Sequence, residues 1–120
     1  MNDDRMRIVK AYFDALAAKD MSRVPWAQDA TQRTPLNPAG GEGALIRGRK
    51  AILEFFTGIL PALPSVNLLR CYSSDIEWAA GQAEIGLANG KTLYVLDAFR
   101  IENRDIKEQQ NHYDSRAATG

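Results

Sequence analysis

The spacing of apolar residues changes character along this chain, and that change limits the folds open to it. Toward the N-terminus they recur every three or four positions: Met6, Val9, Phe13 and Leu16, widened by Ile8 and Tyr12. This is the stripe of an amphipathic helix, predicted over Asp3–Lys19. Asn2 or Asp3 suits its cap, and Pro25 lies beyond its end. A second helix is predicted over Gly48–Leu60, with Ile52, Phe55, Phe56, Ile59 and Leu60 on its apolar face and Pro61 and Pro64 closing it. Between them lie a short strand candidate, Asp29–Leu36, and a loop of turn-forming residues, Asn37–Gly43. From Val66 onward the pattern is that of strands: Val66–Tyr72, Trp78–Ala88, Lys91–Ile101 and Ile106–Asp114. Asn89-Gly90 predicts a type I′ hairpin turn, and Glu102–Asp105 joins the last two strands. Helices followed by a run of antiparallel strands imply an α+β domain with the helices on one face of the sheet. A long meander of this kind can curve around its helices and enclose an apolar pocket, where small molecules bind.

Charge and cysteine usage remove several classes of function. Lys plus Arg and Asp plus Glu each number 15, giving zero formal net charge. A nucleic-acid binder draws affinity from neutralised phosphates and carries a basic excess, so none is expected here. The same neutrality leaves no long-range repulsion against self-association. Cys71 is the single cysteine, which excludes an internal disulfide, and one histidine with one cysteine makes a poor metal set. Gly40-Gly41-Glu42-Gly43 lacks the lysine and the strand–helix context of a phosphate loop, so no cofactor is expected. The acidic start is unlike a signal peptide, and no apolar run approaches the roughly 20 residues that span a bilayer. These features point to a cytoplasmic protein with no membrane partner.

Asp97 is the most informative residue. In Leu93–Ile101, alternation puts Leu93, Val95, Asp97, Phe99 and Ile101 on one face, and four of the five are large and apolar. A carboxyl on an inner face must be paired, hydrogen-bonded or protonated, and desolvation raises its pKa. It is either a structural acid satisfied by a partner or a hydrogen-bond donor in a pocket. Tyr12 sits at the margin of the first helix's stripe, so its ring can be buried while its hydroxyl meets a cavity; plain packing is the alternative. Gln32 and Thr34 share one face of the short strand and offer further polar groups. Trp26, Phe55 and Phe99 are candidates for walls or core.

The segments Ile8–Leu16, Asp29-Ala30-Thr31 and Leu96–Ile101 resemble ketosteroid isomerase. Gly48–Ile52 together with Glu108–Asp114 resembles SnoaL-like polyketide cyclases and limonene epoxide hydrolase. The resemblance spans residues 1–116, leaving Ala117–Gly120 as a flexible tail. It implies the nuclear transport factor 2-like fold, a cone-shaped curved antiparallel or mixed sheet wrapped around N-terminal helices. It also implies a small apolar ligand and a homodimer formed through the outer face of the sheet. In the isomerase a tyrosine and a protonated aspartic acid form the oxyanion hole, and Tyr12 and Asp97 match that pair. The isomerase base falls on Thr34, and the hydrolase's last-strand aspartate falls on Asn111; neither can take a proton near neutral pH.

His112 is then the remaining proton-transfer candidate. Simple hairpin pairing about Asn103-Arg104 puts Gln110 and His112 on the face of Asp97. Carrying over the isomerase's last strand instead puts Gln109, Asn111 and Tyr113 there, which requires a bulge. The expected function is that of a small-molecule pocket protein, an isomerase, cyclase or dehydratase acting on an apolar cyclic or carbonyl compound. The alternatives are a non-catalytic ligand-binding or dimerisation module with a vestigial site, and a protein-partner adaptor.

Overall fold

A computed structural model describes residues 2–35, 44–74, 77–114 and 116, without the side chains of residues 2 and 3. The expected loop at 37–43, the tail at 117–120 and the side-chain caps of the first helix therefore lie outside the described residues. Helix α1 covers Asn2–Ala18 and buries Val9, Tyr12, Phe13 and Leu16. It stops in a Schellman turn, with Asp20 N–H donating to Ala15 O (3.0 Å) and Lys19 N–H to Leu16 O (3.2 Å). Lys19 occupies the left-handed position of that turn at φ 61°.

Strand β1 (Trp26–Thr34) starts three residues before the predicted Asp29. Strand β2 (Ala44–Arg47) was not foreseen; it pairs antiparallel with β1, Thr31 opposite Arg47. Helix α2 follows over Arg49–Ile59 and buries Ile52 and Phe56, then passes into a short 3-10 turn that contains Pro61. Strands β3 (Ser65–Ser73), β4 (Trp78–Gly86), β5 (Thr92–Glu102) and β6 (Asp105–His112) match the four predicted strands within about two residues. The sheet has the order β2-β1-β6-β5-β4-β3 and is antiparallel except where β1 lies parallel to β6. It is mixed, not closed into a barrel, and packed on one face by both helices. The architecture is the α+β cone expected from the sequence. Gly81 lets α1 lie close: a Cβ there would sit 2.4 Å from the Phe13 ring and 2.9 Å from Val9.

One turn corrects the reading from sequence. The Asn89-Gly90 connection is not a two-residue type I′ turn. Leu87 N–H donates to Lys91 O (2.8 Å), Gly90 N–H donates to Leu87 O (3.0 Å), and only Gly90 has positive φ, at 87°. That is a three-residue loop with glycine in the left-handed position. The two-residue turn with both central residues at positive φ lies instead at Asn103 (54°) and Arg104 (68°).

Beyond it the β5–β6 ladder slips. Ile101 pairs with Ile106, yet Arg100 pairs with Glu108, so Lys107 is an extra residue on β6. Its ammonium reaches sideways to Asp29 Oδ1 on β1 at 2.6 Å. From this bulge onward Gln109 pairs with Phe99 and Asn111 with Asp97, which turns Gln109 and Asn111 toward the helices. Of the two arrangements that the sequence left open for β6, the bulged one is present.

Candidate functional site

Between the helices and the inner face of the sheet lies a cavity of about 190 Å³. Its walls are apolar, with Leu16, Phe56, Ile59, Ile85, Leu93 and Val95 prominent among them. Its polar end is formed by Tyr12, Gln32, Asp97 and Asn111, with Thr34 and Tyr113 beside them.

Asp97 is 1% exposed. Its Oδ1 accepts a hydrogen bond from Asn111 Nδ2 at 2.6 Å. Burial raises its pKa to about 7, and the Asn111 bond only partly offsets that rise. The Asn111 amide is held from behind, its Oδ1 accepting from Gln32 Nε2 at 3.2 Å. Gln32 Nε2 also donates to Gln109 Oε1 at 3.0 Å. Both glutamines are fully buried, side by side in the parallel β1–β6 register. The Tyr12 hydroxyl faces the amides of Gln109 and Asn111, and burial together with the nearby Asp97 charge lifts its pKa well above the usual phenol value. The Tyr12 ring is seated edge-on against Phe13 and Phe99, each with centroids 4.9 Å away. Thr34 Oγ1 and the Tyr113 hydroxyl lie 3.1 Å apart.

The structure thus brings Tyr12, Asp97, Gln32, Thr34, Phe55, Asn111 and Tyr113 to one cavity. It does not bring in His112, which the Lys107 bulge leaves exposed on the opposite face of the sheet. Trp26 and Phe99 do not line the cavity either. Trp26 is buried with its ring stacked on Phe56, and Phe99 lies beneath Tyr12; both support lining residues from behind. Gln109 was absent from the expected site, although its place beside Phe99 makes it the neighbour of the Tyr12 phenol. The only sequence signal for it was the bulged alternative for the last strand. Among the described residues no group of three metal-ligating side chains converges, and no helix is long and apolar enough to cross a membrane.

A family model described as the SnoaL-like domain matches residues 9–109. The chain belongs to the SnoaL-like family. No curated protein matches it by sequence. Solved structures share the fold over nearly the whole chain. An NTF2-like protein of unknown function from Mesorhizobium loti has 16% identity and a TM-score of 0.80, covering 94% of this chain and 93% of its own. An LEH-like epoxide hydrolase from M. tuberculosis has 17% identity and a TM-score of 0.74, covering 97% and 86%. A de novo designed protein with a curved β-sheet has 14% identity and a TM-score of 0.78, covering 97% and 89%. At such identities the likeness is one of fold, and the designed protein illustrates that the cone can exist without any given reaction.

Proposed function

We propose that this SnoaL-like chain binds an apolar cyclic carbonyl compound in the cavity, its oxygen received by Tyr12 and protonated Asp97. The burial of Asp97 beside Tyr12, at the polar end of an otherwise apolar space, carries the reading. A carboxyl with a pKa of about 7 is present in both forms near neutral pH. It can donate to a carbonyl oxygen or exchange a proton with the bound compound. Each donor aimed at a developing oxyanion is typically worth about 3–4 kcal/mol of barrier. This supports cofactor-independent isomerase, cyclase or dehydratase chemistry.

One observation favours the second reading, a non-catalytic ligand-binding module with a vestigial site. By the resemblance to the isomerase and the hydrolase, Thr34 and Asn111 stand where bases are expected, and His112 lies on the far face. Carbon-13 titration of the Asp97 carboxyl tests the common premise: a midpoint near 7 supports it, and one at or below the ordinary carboxylate value refutes it. Exchange of cyclohexenone's acidic C–H protons with deuterated water then separates the two readings. Acceleration that vanishes in Asp97→Leu supports catalysis; binding without acceleration supports the module.

The outer face of the sheet supports a homodimer. Leu69, Tyr72, Tyr94 and Leu96 are exposed there around a surface groove, and His112 borders it. A chain with one free cysteine and no disulfide also suits the reducing cytoplasm. Sedimentation equilibrium that returns a monomer at all concentrations would remove the dimer.

A further inference from the structure

The chain of amides behind Asp97 has a direction, and its far end is unfinished. Asp97 Oδ1 accepts from Asn111 Nδ2, so Asn111 presents its oxygen to Gln32. Gln32 must therefore offer Nε2 there, and the same Nε2 also serves Gln109 Oε1. Two atoms of the cluster have no hydrogen-bond partner among the described residues, Gln32 Oε1 and Gln109 Nε2, and of the two fully buried side chains only Gln32 lines the cavity. A buried acceptor left without a donor is costly, so such groups in folded proteins call for an explanation.

The cavity also limits what can supply that donor. A space of about 190 Å³ is not much larger than the roughly 150 Å³ apolar cavity that takes up benzene. It fits one ring with small substituents and is too small to enclose a fused polycycle. Asp97 and Gln32 both bond the one Asn111 amide, so the two polar ends lie within the reach of a single ring.

We propose that the ligand is a one-ring carbonyl compound that carries a hydroxyl or N–H group, which donates to Gln32 Oε1 while the carbonyl oxygen faces Tyr12 and Asp97. This inference rests on the carbonyl-binding reading and adds to it a second polar contact and an upper size. Gln32 is then a specificity residue: it selects the hydroxylated ring over the bare one.

The experiment compares cyclohexenone, its ring-hydroxylated isomers and a four-ring steroid enone as probes, by NMR titration of the full chain. At least one hydroxylated isomer should bind about tenfold more tightly than the bare ring, the worth of one hydrogen bond. The steroid should not bind. Gln32→Leu should bring that ratio to about one, and Gln32→Met serves as a second variant should Leu fail to fold. A merely structural glutamine would instead weaken both rings alike and leave the ratio intact. Asp97→Leu should weaken both rings equally, which tests the parent reading alone: if it changes neither, carbonyl binding falls while the hydroxyl preference stands. Equal affinity for bare and hydroxylated rings, a ratio that survives in the Gln32 variants, or tighter binding of the steroid overturns the inference. Absence of binding by any ring at millimolar concentration overturns both.

Discussion

Strands β5 and β6 present two faces that reverse the usual distribution of polarity. Toward the helices, Asp97, Asn111 and Gln109 are set among Phe99, Ile101 and Ile106, with Asp97 and Gln109 fully buried. Toward water, the same strands carry Leu96 and Tyr94, the latter 71% exposed. Exposed single apolar residues are ordinary, but buried polar side chains and grouped exposed aromatics are the informative exceptions. The contrast assigns different tasks to one ladder. Its inner face keeps hydrogen-bonding groups in an oily space where each contact is strong, and its outer face keeps an oily surface where another surface can cover it. Neither arrangement is what maximal stability of an isolated monomer would select.

That comparison can be tested by perturbing each face. The largest effect is expected from Phe99→Ala, which removes the seat of Tyr12 and should cost about 3–5 kcal/mol in denaturant unfolding. A loss below about 1 kcal/mol would mean that the inner face is loosely packed and the polar cluster not held in place.

Asp97→Asn should come next, and its sign depends on pH. The folded pKa of about 7 exceeds the ordinary value of 3.8. Between those values the native state holds a proton that the unfolded chain releases, so stability falls as pH rises from about 4 to 7. The full penalty is on the order of 4 kcal/mol above pH 7. Asp97→Asn should abolish this slope and make the protein more stable than wild type at alkaline pH. A wild-type stability that stays flat across the window would place the carboxyl in contact with water or with a cation.

Tyr94→Lys on the outer face should change monomer stability by less than about 0.5 kcal/mol. It should nevertheless abolish any concentration-dependent association measured by sedimentation. Should it unfold the protein instead, the outer aromatics belong to the core of the monomer and the two faces do not differ as described.

The legibility of these features in the sequence followed the strength of local alternation. In β5 every second residue from Leu93 to Ile101 is apolar apart from Asp97, so its burial could be read without coordinates. Lys107-Glu108-Gln109-Gln110-Asn111 is polar at every position, and such a strand carries no internal mark of which residues face in. The bulge, and with it the fate of Gln109, Asn111 and His112, was therefore invisible to period alone; the resemblance only offered it as one of two registers. Strand β2 is four residues long and follows a glycine-rich stretch, too short for any period to register. Phe99 shows a different limit. Alternation assigned its face correctly, but not its depth, and α1 covers it before the cavity begins. At the turns, Asn103-Arg104 adopts the conformation that glycine makes easy, while Asn89-Gly90 spends its glycine on a longer loop.

The surplus residue at Lys107 has a genetic consequence. Loss of this one codon would remove the bulge yet leave Asn111 opposite Asp97 and His112 on the outer face, because each residue from Glu108 onward would keep its partner on β5. The amide-lined cavity would persist, and the change would fall on the junction with β1, where the Lys107 ammonium meets Asp29. In-frame loss of this residue thus leaves the chamber's polar groups in place; to face His112 toward Asp97, β6 would have to slip by one residue along β5.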